Sequence, residues 1–362
     1  MIGLHVVVDN ASPEALDRAL LYLKRTKQRT VDIAAGAQID RGMQFVERVR
    51  AEAPGITVFW RNLDPEDTGI HAKHSAEWVY QRKVAPFRAW MQRHRIVFMP
   101  DNETSGDDER IRTYANWEAD FGRMLHTDGL YGAFCRFATG NIVESQYRLL
   151  KPVFDMMTPG DYVSPNEYSA QPGYPPGSGG HLERYKLMWK AAGRRLPTVI
   201  GEAGVAMNYN PGKGYIDAGM TDEAFAQQMI DEQVWYTDAD GYEVDRHLFR
   251  VGAFSYGGYM LRSGVFTYLE NYYAHKEPPI VIATPDTPTQ TPPTAPPPST
   301  DPVEVPRAED PIWMHNLTKA KRARIAMGRL MLEFGDELRG FIVDDEAYEL
   351  IGEMAGMLDA RG

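Results

Sequence analysis

Short apolar runs alternate along the first 275 residues with longer stretches whose apolar positions recur every three or four residues. The runs predict strands at 3–8, 31–35, 57–61, 95–99, 132–137, 162–165, 198–201 and 252–256. The periodic stretches predict helices at 13–25, 42–52, 75–93, 110–125, 143–157, 181–192 and 222–235, with 264–275 either a closing helix or a terminal hairpin. Ser12-Pro13-Glu14 marks a helix start, serine as N-cap and proline in the first turn. Strand and helix alternating eight times implies parallel strands, each followed by a helix, and matches the roughly 250 residues of a (β/α)₈ TIM barrel. A doubly wound sheet is the alternative, but the early G-x-G-x-x-G turn of its nucleotide-binding version is missing.

The pattern breaks after residue 276. Residues 277–308, centred on T-P-T-Q-T-P-P-T-A-P-P-P-S-T-D-P, hold too little apolar surface for a core and read as an extended linker. Beyond it, Ala320, Ala323, Met327, Leu330, Phe334, Leu338 and Phe341 draw one helical stripe; Ala347, Leu350, Ile351, Met354 and Leu358 draw a second. The expected organisation is a barrel over 1–276, the proline-rich linker, and a small α-helical module over 309–362. Helices this short need a packing partner, so the module is expected to mediate self-association or docking to the barrel or another protein.

The 362 residues carry a net charge of -11, which speaks against nucleic acid as a partner and leaves a neutral ligand favoured. No apolar run is long enough for a membrane span, and Met1 leads into I-G-L-H-V-V-V without a basic segment, so no secretory signal is read and localisation stays open. The single cysteine, Cys135, lies in Y-G-A-F-C-R-F and is expected to be a small core residue.

Chemistry concentrates at two glutamates. Glu103 closes R-I-V-F-M-P-D-N-E and Glu202 closes P-T-V-I-G-E, each at the end of a β-branched run entering a turn. A barrel delivers strand-end side chains to one mouth, and two carboxylates facing one pocket are the minimal equipment for breaking a glycosidic bond. Glu167 is a rival carboxylate. Arg61, Asp9 and Asn10 follow predicted strands and either touch sugar hydroxyls or fix loops. Trp60, Tyr174, Tyr209 and Tyr215 are candidate stacking surfaces. His71 and His74 invite a metal reading, but no carboxylate stands at motif spacing, so neither metal nor cofactor is expected. The glycine-rich loops after the sixth and seventh runs lack the G-x-x-x-x-G-K-[ST] order of a phosphate cradle.

With glutamates ending the fourth and seventh predicted strands, residues 2–273 resemble clan A of the glycoside hydrolases, (β/α)₈ retaining enzymes. The resemblance implies that Glu103 is the acid/base, Asn102 the contact to the sugar 2-hydroxyl, and Glu202 the nucleophile. It places Tyr168 where the clan sets a residue bonding the nucleophile. The clan's tryptophan platform at strand eight is absent from F-S-Y-G-G-Y, leaving Tyr256 to substitute. The expected activity is retaining hydrolysis of a β-linked oligo- or polysaccharide, with carboxyl groups about 5–5.5 Å apart. The alternatives are a non-catalytic carbohydrate-binding or virion-type structural protein on the same barrel, and a cell-wall lysin.

Overall fold

The computed structural model describes residues 1–63, 69–101, 103–138, 142–169, 172, 182–205, 214–238, 240–251 and 262–275. Among the described residues nine strands run parallel: β1 (Ile2–Val7), β2 (Thr30–Ala35), β3 (Thr57–Asn62), β4 (Val97–Phe98), β5 (Tyr131–Phe134), β6 (Tyr162–Val163), β7 (Asn166–Ser169), β8 (Val199–Val205) and β9 (Asp245–Val251). They pair in the order β6-β5-β4-β3-β2-β1-β9-β8-β7. The two edges of this sheet, β6 and β7, are successive pieces of one segment. On one side that segment bonds back to β5 and the residues after it, Ser164 N–H to the Phe134 carbonyl and Asn166 N–H to that of Phe137; on the other, Pro165 accepts from Gly201 N–H. The sheet therefore curls into a barrel of eight staves, the parallel α/β architecture expected from the alternation.

Helices α1 (Pro13–Thr26), α2 (Ile39–Glu52), α3 (Ala76–Lys83), α4 (Arg88–His94), α5 (Asp108–Thr127), α6 (Lys151–Met156), α7 (Tyr185–Ala192), α8 (Asp222–Glu232) and α9 (Ser263–His275) follow the staves. Ser12 caps α1 through its hydroxyl, which accepts from Ala15 N–H at 3.2 Å. The single helix expected over 75–93 is interrupted at Val84-Ala85-Pro86, because a proline at that point has no N–H for the helical ladder. That expected over 143–157 is a 3-10 turn followed by α6, with Pro152 in its first turn. The 264–275 segment is a helix and not a hairpin.

The eighth stave is Asp245–Val251; the expected strand at 252–256 lies outside the described residues. Its sequence, D-R-H-L-F-R-V, hides it. Asp245 and His247 are buried beside Thr30, while Arg246 is buried among Glu232, Gln233 and Tyr236, so this strand buries polar groups on both faces.

Two apolar layers hold the barrel. Phe59, Val97, Met99, Ala133 and Val199 form a small core with Tyr131 and Tyr162, and the alternate strand residues, such as Leu4, Ile33, Trp60 and Phe98, join the large core shared with the helices. Gly42 on α2 lets the helix lie against the sheet: a β-carbon there would stand 2.6 Å from that of Ala35 and 2.7 Å from the Trp60 ring. No helix among the described residues is long and apolar enough to cross a membrane. The expected linker and helical module lie outside the described residues.

Candidate active site

Strict alternation would not build this site; three backbone irregularities do. On β8, Ile200 pairs with Arg246 but Ala203 pairs with Leu248, three residues against two. This bulge lets Ile200 and Ala203 keep to the helix side, in one cluster with Tyr236, while Glu202 turns to side chains of other staves. On β5, Phe134 belongs to the outer core, so alternation would send Cys135 inward. Cys135 instead takes a left-handed conformation (φ 60°), joins the outer core itself and leaves the inward position to Arg136. Glu103, beyond β4, is also left-handed, at φ 52°. Such backbone costs on the order of 1–3 kcal/mol per residue and persists where the surroundings impose it, commonly at functional sites.

Glu202 is buried, yet well supplied with donors. Arg136 Nη2 lies 2.6 Å from Oε1, Arg61 Nη1 3.4 Å from the same oxygen, and the Tyr168 hydroxyl donates to Oε2 at 2.6 Å. Burial alone would raise its pKa; the guanidinium of Arg136, then His5, Arg61 and the Tyr168 hydroxyl outweigh it and hold the group at about 2. Glu202 is thus ionised at neutral pH. Glu103 is half-buried and accepts from Asn166 Nδ2 at 3.3 Å. Its pKa is raised, first by burial and then by the negative charge of Glu202, against the weaker pull of Arg136 and the Asn166 bond. Asn166 stands in register with Glu202 on the neighbouring strand, so the residue that bonds Glu103 lies beside the strand position of Glu202.

Beneath Glu202 the charges continue into the barrel. Arg136 Nη1 lies 3.4 Å from Asp32 Oδ2 and 2.8 Å from the Met99 sulfur, and His5 Nδ1 is 2.6 Å from Asp32 Oδ2. Burial pushes the Asp32 carboxyl up, but His5 and Arg136 together hold it well below the usual carboxylate range.

The expected site residues divide by this geometry. Glu202, Arg61 and Tyr168 meet, with Glu103 within the field of Glu202. Glu167 points the other way along β7: its carboxylate accepts from the Tyr236 hydroxyl and the backbone N–H groups of Glu183 and Tyr185. Burial raises its pKa to about 7, and the groups around it are not those that hold Glu202. Asp9 fixes a loop, accepting from the N–H groups of Gly36, Ala37 and Gln38, while Asn10 is exposed in the turn after β1. Trp60 is not a stacking surface: its ring is sealed between the sheet and α2 and packs edge-on against Trp90. Tyr215 is likewise buried, stacked on Phe225. His71 is buried against Asp101, with Nδ1 2.8 Å from the carboxylate, whereas His74 stacks on Trp78. Asn102, Tyr174, Tyr209 and Tyr256 lie outside the described residues.

Arg136, Asp32, His5 and Asn166 were not anticipated. A charged residue inside an apolar strand, as in L-H-V-V-V, V-D-I-A-A and F-C-R-F, is a signal for a buried partner of opposite charge, because such groups are rarely buried unpaired.

No family profile and no curated protein matches the chain. Among solved structures it is similar to Saccharomyces cerevisiae Gas2p. The complex with compound 7 aligns at a TM-score of 0.49 and 13% identity over 77% of this chain and 65% of that one. The complex with laminaripentaose aligns at 0.47 and 13% over 74% and 60%. The chain spans less than two thirds of the length of these structures. What the site can do follows from its own side chains: it offers one carboxylate held ionised and a second biased toward its proton.

Proposed function

We propose that this chain is a retaining β-glycoside hydrolase acting on an oligo- or polysaccharide by double displacement, with Glu202 as nucleophile and Glu103 as acid/base. The observation that carries this is the opposite electrostatic bias of two glutamates at one site. Environments that push two carboxyl groups apart divide the labour of acid and nucleophile. Glu202 attacks the anomeric carbon while Glu103 protonates the departing oxygen. Once Glu202 is esterified its charge is gone, which lowers the pKa of Glu103 and suits it to take a proton from the incoming water. The Tyr168 hydroxyl and the two guanidinium groups fix which oxygen of Glu202 attacks. Asn102 and Tyr256 keep the roles that the family resemblance implies, at the sugar 2-hydroxyl and under the sugar ring.

The test is a panel of aryl β-glycosides and β-linked oligosaccharides. Glu202→Ala is expected to abolish turnover, with azide restoring it as a glycosyl azide of inverted configuration. Glu103→Ala should lose on the order of 10²–10⁴-fold on poor leaving groups and much less on activated aryl glycosides. Sugar binding by the wild type without turnover of any member would instead make the chain a binding module.

A further inference from the structure

Glu118 lies on α5, outside the barrel wall, fully buried and with no place in the reaction described above. Its carboxyl group accepts the backbone N–H of Cys135, at 2.9 Å to one oxygen and 3.3 Å to the other. Cys135 is the left-handed residue between Phe134, which faces the helices, and Arg136, which faces Glu202. In a regular strand that N–H would point toward a neighbouring strand. Here the chain has turned, and without Glu118 it would face a dry interior unsatisfied. We propose that Glu118 is a positioning residue: by accepting the Cys135 N–H it holds the left-handed turn that swings Arg136 into the barrel against Glu202. Its catalytic meaning rests on Glu202 being the nucleophile; the positioning itself does not.

Two features support the assignment. Glycine would adopt φ 60° at little cost, yet the position holds cysteine, so a local restraint must offset the strain. The restraint also sits apart from the groups that hold Glu202. Glu118 is packed with Tyr114 on its own helix, Cys135 just beyond β5 and the charge of Asp101 beyond β4; burial, opposed by the Tyr114 and Cys135 bonds and helped by Asp101, brings its pKa to about 8. It is therefore mostly a neutral acceptor near neutral pH, with no formal charge to compete for Arg136. Facing Glu202 are Arg136 from the β5 stave, Arg61 from β3, Tyr168 from β7, His5 from β1 and Glu103 beyond β4. Among the described residues next to these, only Cys135, before Arg136, is left-handed.

The experiment follows the Glu202 carboxyl by ¹³C NMR titration of the full chain labelled at glutamate, its signal assigned with Glu202→Gln. In the wild type Glu202 should stay ionised through about pH 4, below the ordinary glutamate midpoint. Glu118→Leu should raise its midpoint by about 1–3 pH units, the range an adjacent cation controls. Glu118→Gln keeps an acceptor carbonyl and should leave the titration unchanged. Adding Cys135→Gly to Glu118→Leu should restore it, because glycine holds the turn without help. A Glu202 midpoint that ignores Glu118→Leu, or a double variant that fails to recover, overturns the proposal. Should Glu118→Leu not fold, Cys135→Val carries the same test, since a β-branched residue disfavours the left-handed turn; an unmoved midpoint there is equally fatal. If Glu202 responds as expected in a chain that hydrolyses no glycoside, the positioning role holds and the glycosidase reading alone falls.

Discussion

Arg136 joins two buried carboxylates, Glu202 and Asp32, and the balance of its charge against theirs governs the pH behaviour of the site. Both carboxyl groups have folded-state pKa values below their ordinary ones. Their contribution to stability is therefore fully present above about pH 4 and is lost as pH falls through the folded values. Replacing Arg136 by Met removes the cation and leaves two desolvated negative charges, a change costing about 3–5 kcal/mol. Without Arg136 both folded-state pKa values rise, although Arg61 still faces Glu202 and His5 still faces Asp32, so the variant gains less stability than the wild type as pH rises. The penalty of Arg136→Met should thus be clearly larger near pH 7 than near pH 4, measured by urea unfolding at the two pH values. An equal penalty at both would mean that Arg136 acts there as packing alone. Glu103 and Glu202 were legible as strand-end glutamates; Arg136, Asp32 and His5 show in the sequence only as charged residues inside apolar runs, and neither their partners nor the role of Glu118 could be named, because those contacts are remote in sequence.

At the level of elements, periodicity located the staves and helices but misplaced several ends. Apolar content identified β5, yet the strand stops at Phe134 because Cys135 turns left-handed, and no feature of F-C-R-F encodes that turn. On β8 the bulge carries the strand on to Val205, so Glu202 sits inside the strand and not beyond its end. β9 escaped detection because it opens on the buried polar residues Asp245, Arg246 and His247. Helix packing offers a sharper test. Gly42 lies within α2, where alanine would add about 1 kcal/mol of helix propensity. A β-carbon there, however, meets the Ala35 β-carbon at 2.6 Å and the Trp60 ring at 2.7 Å, and overpacking of a close-packed interior costs about 1–3 kcal/mol. The clash should win: Gly42→Ala is expected to lower the urea midpoint without changing the slope of unfolding. A stabilised variant would show that α2 can move off the sheet freely.

For the molecule as a whole, the eightfold alternation was enough to indicate a parallel barrel, because each strand needs a crossover of about helix length to return parallel to its neighbour. What alternation could not supply is the register, since a one-residue bulge at β8 decides that Glu202 faces into the barrel and not the helices. The proline-rich break at 277–308 is a compositional inference of a different kind, resting on the absence of apolar surface rather than on any periodicity. The central claim, that the barrel presents Glu202 as an ionised nucleophile with Glu103 as its acid, has one most direct measurement. The protein is incubated with activated 2-deoxy-2-fluoro β-glycosides, chosen from the sugars it turns over, then digested and analysed by peptide mass spectrometry. A stable glycosyl ester on the peptide carrying Glu202 is the predicted result. An ester on Glu103 or Glu167, or turnover that releases product of inverted configuration with no ester formed, would contradict it.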